Sequence, residues 1–92
     1  MAYLLKMDEQ ANQDLDFLKN NSRQDYVKRF DLIRSIITDP RNGIGKPERL
    51  KGYGDQEVYS RRINDKDRIS YMIFEDKKEI LINRCRGHYN DK

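Results

Sequence analysis

Three segments with apolar residues at alternating positions crowd the end of the chain: "VYSRRIN" (58–64), "RISYMIFE" (68–75) and "EILINRCR" (79–86). Only the turns within "DKDR" and "EDKK" separate them. Runs rich in Val, Ile, Tyr and Phe are strand signals, and connections this short join antiparallel neighbours. The register follows from the distribution of charge. With a two-residue first turn, Ile63 would face Arg68 and each sheet face would mix apolar and cationic side chains. With a three-residue turn (65–67), Arg62 and Arg68 share one face with Ser60 and Ser70, while Ile63, Ile69, Tyr71 and Ile73 share the other. A one-residue slip flips every side chain, so the segregated register is expected. One face is then core and the other carries paired arginines, with Met72 and Phe74 as apolar misfits beside them.

The first half must cover the core face. "AYLLK" (2–6) suits one strand, and Asp8 is placed to cap a helix with Met7, Ala11, Leu15 and Leu18 on one side. "NN" (20–21) breaks that helix, and Ser22 with Asp25 forms a capping-box-like start to a second. Tyr26, Phe30, Ile33 and Ile37 form its expected stripe, and Pro40 follows its end. A joint of two to three residues makes the two helices a hairpin. Residues 41–57, "RNGIGKPERLKGYGDQE", read as a long loop, and long ordered loops tend to be functional. The expected fold is α+β in the order β-α-α-β-β-β, a helical hairpin packed on a small antiparallel-dominated sheet, as one domain over 1–92.

Composition narrows the function classes. Charged residues make up 38% of 92 residues against 36% for the apolar set, so the core is thin and one face is solvated. A single cysteine excludes an internal disulfide and a thiolate zinc site. No stretch reads as a signal peptide or a membrane span, and a reducing, cytoplasmic setting is expected. The net charge of +3 is unevenly spread: residues 1–40 carry 6 basic and 7 acidic side chains, residues 41–92 carry 13 and 9. A local cationic surface attracts phosphates. "GIGK" is no phosphate-binding P-loop, because the spacing is wrong and Pro47 follows the lysine.

The candidate chemistry lies in the basic half. Arg62 and Arg68 present planar, permanently charged groups that suit phosphate oxygens. Glu48 sits in the glycine-rich loop, and His88, the sole histidine, lies four residues from the end beside Tyr89. Cys85 reads as a small buried hydrophobe. Each charged residue alone would pass for solvated surface. Together, a carboxylate, an imidazole and two arginines are the inventory for cutting RNA without a metal or other cofactor. The 2′-hydroxyl attacks the adjacent phosphate, and the protein supplies a base, an acid and cations for the developing charge. No Asp/Glu/His cluster has metal-ligand spacing.

"GIGKPERLKG" (43–52), "YSRRIN" (59–64), "DRISY" (67–71) and "CRGHY" (85–89), in that order, resemble the YoeB/Txe branch of the RelE superfamily of toxins. The resemblance implies a ribosome-dependent mRNA endonuclease from a type II toxin–antitoxin pair, held inactive by a cognate YefM-like antitoxin. It implies Glu48 as general base, His88 as general acid, Arg68 and Arg62 as stabilisers of the transition-state phosphate, and Tyr89 as orienting the substrate. Lys46, Lys51 and Arg61 become candidate contacts to phosphate or ribosomal RNA. The partners implied are the antitoxin, the ribosome and mRNA, with a homodimer compatible with the sequence and not fixed by it. A non-catalytic toxin of the same fold and a basic RNA-binding module are the competing readings. Three positions depart from the family pattern. Asp67 stands where relatives commonly have histidine, Tyr59 where an indole is frequent, and Asn90, Asp91 and Lys92 extend beyond Tyr89.

Overall fold

A computed structural model describes residues 2–87. Its elements are β1 (Leu4–Met7), α1 (Glu9–Asn21), α2 (Arg23–Thr38), β2 (Glu48–Arg49), β3 (Glu57–Arg62), β4 (Arg68–Phe74) and β5 (Glu79–Arg84). They form a five-stranded sheet in the order β1-β5-β4-β3-β2, in which β1 runs parallel to β5 and every other pair is antiparallel. The expected α+β order is present, with one addition: the long loop contains the two-residue strand β2. A strand that short has no periodicity to detect.

The charge-segregated register is the one observed. Arg62 pairs with Arg68 and Ser60 with Ser70 across the β3–β4 ladder. The other face buries Ile63, Ile69, Tyr71 and Ile73 against Ile80 and Ile82 of β5 and Leu32, Ile33 and Ile36 of α2. A register shift between Ser70 and Tyr71 sets Ser70 opposite Arg84 and Tyr71 opposite Ile82, so Asn83 is the extra residue of a bulge.

The helices depart from expectation in three ways. Ser22 alone joins them, serving as C-cap of α1 and N-cap of α2, where its hydroxyl accepts the Asp25 N–H. Asp8 occupies the N-cap of α1, but its side chain makes no capping bond. The buried stripe of α2 is Arg29, Leu32, Ile33 and Ile36, with Phe30 38% exposed, and α1 buries Asp14 beside Ala11 and Leu18. Two charged residues thus lie where only apolar ones were expected. Both have partners distant in sequence: Arg29 pairs with Asp67 and Asp14 with Arg84.

A third buried charge organises the loop that follows α2. Arg61 is wholly buried, and the partners of its guanidinium among the described residues are hydroxyls and backbone carbonyls. All five of its donors are used. Nε donates to the Tyr71 hydroxyl at 3.0 Å, Nη1 to Ser35 Oγ at 2.7 Å and Ile44 O at 3.1 Å, and Nη2 to Asp39 O at 2.6 Å and Asn42 O at 2.9 Å. The loop wraps so closely that a Cβ on Gly43 would lie 2.4 Å from Ser35 Oγ and 2.9 Å from Arg61 Nη1, and its φ of +129° is itself a glycine conformation. Arg41, at the loop's start, bridges Glu57 of β3 and Glu75 after β4. The hydrogen bond from Arg41 holds the Glu57 carboxyl below its ordinary value against the opposing effect of burial. The loop that delivers β2 to the sheet edge is therefore tied down at both of its flanks.

Candidate active site

Alternation along the ladder decides which side chains share the open face. Glu48 of β2 lies opposite Ser60 of β3, which lies opposite Ser70 of β4; one step along, Arg62 lies opposite Arg68. The Arg68 Nη1 donor reaches Ser60 Oγ at 3.3 Å and stands 3.6 Å from Glu48 Oε1. The Glu48 side chain is 65% exposed and that of Arg68 27% exposed, so this pair opens to solvent from a partly sheltered base. Arg62 projects from the same face, its guanidinium bonded to the exposed Asp65 carboxylate and to Asn64 O. An exposed pair of that kind is worth little, so an incoming phosphate competes readily for Arg62.

The structure thus pairs Arg62 with Arg68, as the charge-segregated register predicts, and places Glu48 beside Arg68. Lys46 and Lys51 are exposed on either side of β2. Lys46 has a positive φ of 52° and helps line a cleft of about 500 Å³ with Arg62, Lys28, Ile44 and Ile63. The assignment of Arg61 as a phosphate or RNA contact is corrected. It alternates with Arg62, points to the core face and spends its whole guanidinium on Tyr71, Ser35 and the carbonyls of Asp39, Asn42 and Ile44. Cys85 is buried, as expected, and burial with the nearby Asp14 charge pushes its thiol up to about 12.

His88 and Tyr89 lie outside the described residues. The chain leading to them is held against the site. Arg68 N–H donates to Gly87 O at 2.8 Å, and Gly87 N–H donates to Asp67 Oδ1 at 2.8 Å. Asp67 was legible only as a departure from a family pattern; its position directly before Arg68 was the available signal for a role. Burial pushes the Asp67 carboxyl up, but the Gly87 N–H, Asn64 and Arg29 outweigh it, and the net effect is downward. Ser70 Oγ, in the row behind Arg68, is buried with no hydrogen-bond partner among the described residues. Among the described residues no three His, Cys, Asp or Glu side chains are grouped to hold a metal ion, and no helix is long and apolar enough to cross a membrane.

Two helices packed on one face of a five-stranded mixed sheet match the RelE/YoeB-like class of small toxin folds. Within that class the sequence is specific. The pattern of the family described as "YoeB-like toxin of bacterial type II toxin-antitoxin system" matches residues 7–89, and the chain belongs to that family. It is 46% identical over 68 residues to the toxin YoeB of Synechocystis sp., covering 68% of this chain and 71% of that protein. The YoeB dimer from Staphylococcus aureus superposes with a TM-score of 0.82 at 32% identity, covering 97% of this chain and 100% of the other. The heterotetrameric YoeB-YefM toxin–antitoxin complex from the same species gives 0.78 at 33% identity, with the same coverage.

Proposed function

We propose that this toxin cuts mRNA on the ribosome, using the RNA's own 2′-hydroxyl as nucleophile. The observation that carries the reading is the single open face on which the Glu48 carboxylate lies 3.6 Å from the Arg68 guanidinium, with Arg62 directly across the ladder. In the proposed reaction Glu48 takes the proton of the 2′-hydroxyl, O2′ attacks the adjacent phosphorus, and the bond from phosphorus to the 5′-oxygen breaks. His88 donates a proton to that departing oxygen, leaving a 2′,3′-cyclic phosphate and a free 5′-hydroxyl. Arg68 and Arg62 neutralise the charge that grows on the phosphorane oxygens, and Tyr89 orients the substrate. DNA is no substrate because it lacks the 2′-hydroxyl.

Lys46 and Lys51, exposed beside Glu48, are assigned to phosphates of the message or of ribosomal RNA, in binding that weakens with salt. By likeness to the Staphylococcus aureus proteins, a YefM-like antitoxin and a homodimer are the protein partners. An acidic antitoxin segment over the arginine face would occupy the same guanidinium groups as the RNA phosphates.

The test is a reconstituted translation reaction in which the message is mapped for new 5′ ends. Glu48→Gln and Arg68→Ala are expected to lose cleavage by ~10²-fold or more while still binding ribosomes. Equal cutting by Glu48→Gln removes the carboxylate from the mechanism, and an intact message with the unaltered protein removes the endonuclease reading.

A further inference from the structure

The sheet ladder stops at Arg84, yet the next three residues are not left to fray. Asp14 of α1 accepts the Cys85 N–H on Oδ2 at 2.9 Å and the Arg84 Nε on the same oxygen at 2.9 Å. Arg29 of α2 donates from Nε to Cys85 O at 2.8 Å, from Nη1 to Asp25 O at 3.0 Å and from Nη2 to Asp67 Oδ2 at 3.2 Å. Asp67, in the β3–β4 turn, takes the Gly87 N–H on its other oxygen, and Arg68 N–H closes onto Gly87 O. Three charged side chains from three separate elements thus capture backbone groups of residues 85 and 87. Asp14 is 3% exposed and Arg29 is wholly buried.

Ionic groups placed in a core are a costly way to gain stability alone, since apolar residues of similar volume often do as well or better. Their return here is placement, at the one stretch of chain that precedes His88. Gly87 adds to it: its φ of +89° is a glycine conformation, while the nearest atom to an added Cβ would be Arg84 Nη2 at an ordinary 3.7 Å, so the backbone direction and not space calls for glycine.

We propose that Asp14, Arg29 and Asp67 are positioning residues that fix residues 85–87, the stretch of chain that leads to the proposed acid His88. Asp67 is the junction, because its carboxylate joins Arg29 to Gly87 and its own peptide leads into Arg68. The catalytic half of this inference rests on the endonuclease reading; the structural half does not.

The experiment uses the full chain with Asp67→Ala, which removes both acceptors, and Asp67→Asn, which keeps one oxygen for the Gly87 N–H. Amide hydrogen exchange at Gly87 is expected to quicken at least tenfold in Asp67→Ala and less than threefold in Asp67→Asn, with the amides of Ile80 and Tyr71 unchanged. In single-turnover cleavage of ribosome-bound mRNA, Asp67→Ala is expected to lower the maximal rate about 10–100-fold with half-saturation unchanged, and Asp67→Asn to restore most of it. Should Asp67→Ala lose core protection, Asp67→Ser replaces it with the same expectations, being too short to reach Arg29 and Gly87 together. Unchanged exchange at Gly87, or a loss seen only in half-saturation, overturns the proposal. An unaltered protein that cuts nothing refutes the endonuclease reading, while the exchange result still decides the clamp.

Discussion

Replacing Arg61 by methionine should destabilise the chain severely, whereas the same change at its neighbour Arg62 should scarcely be felt by the fold. Arg61 gives up five hydrogen bonds, to Tyr71, Ser35, Ile44, Asp39 and Asn42. Bonds to a charged group net ~1.5–3 kcal/mol each, so all five would exceed about 7 kcal/mol if every acceptor stayed dry. Asp39, Asn42 and Ile44 belong to exposed residues, whose carbonyls can turn to water. That leaves the Tyr71 and Ser35 hydroxyls and the loosened loop, and an expected loss of about 3–5 kcal/mol. A domain of this size holds roughly 5–14 kcal/mol in total. Urea unfolding followed by circular dichroism should show the midpoint of Arg61→Met falling by about a fifth or more with little change in slope, while Arg62→Met stays within about 0.5 kcal/mol of the unaltered chain. Arg61→Lys should behave like Arg61→Met, because an ammonium cannot serve five acceptors arranged around a planar fork. A loss below about 1 kcal/mol for Arg61→Met would refute the assignment of this residue to the fold.

Two further predictions concern stability. Asp67 and Glu57 both have carboxyls held below their ordinary values. Their contributions are therefore complete above about pH 5 and are lost as pH falls through the lower folded values. Unfolding free energy measured against pH should drop in that acid range, and Asp67→Asn or Glu57→Gln should flatten the drop; an unchanged slope in both would contradict the network. Ser70→Ala removes a buried hydroxyl that has no partner among the described residues, so it should be neutral or stabilising by about 1 kcal/mol in the same urea assay, and a clear loss would reveal a bond not accounted for.

The sheet and hairpin were legible because their signals are local. Alternation, short turns and the segregation of arginine from isoleucine set the β3–β4 register, and Ser22 with Asp25 announced the start of α2. What escaped was every buried charge. Arg29, Arg61 and Asp14 read as surface by type, and their partners Asp67, Ser35 and Arg84 lie 38, 26 and 70 residues away, beyond any periodic pattern. Alternation alone could have separated Arg61 from Arg62, since the face that holds Ile63 and Ile69 also holds the position two before Ile63. In the candidate site, Glu48, Arg62 and Arg68 were singled out by residue chemistry and by the family resemblance, but the strand that sets Glu48 opposite Ser60 is two residues long and left no trace in hydropathy.

The proposed reaction is attack by the RNA's own 2′-hydroxyl at a site built on Glu48 and Arg68. It is tested most directly with ribosome-bound mRNA carrying a single 2′-deoxy substitution on the nucleotide 5′ to the cut. Cleavage should vanish at that position while the all-ribose message is cut to a 2′,3′-cyclic phosphate end. Cutting of the 2′-deoxy message at the same position and rate would contradict the account.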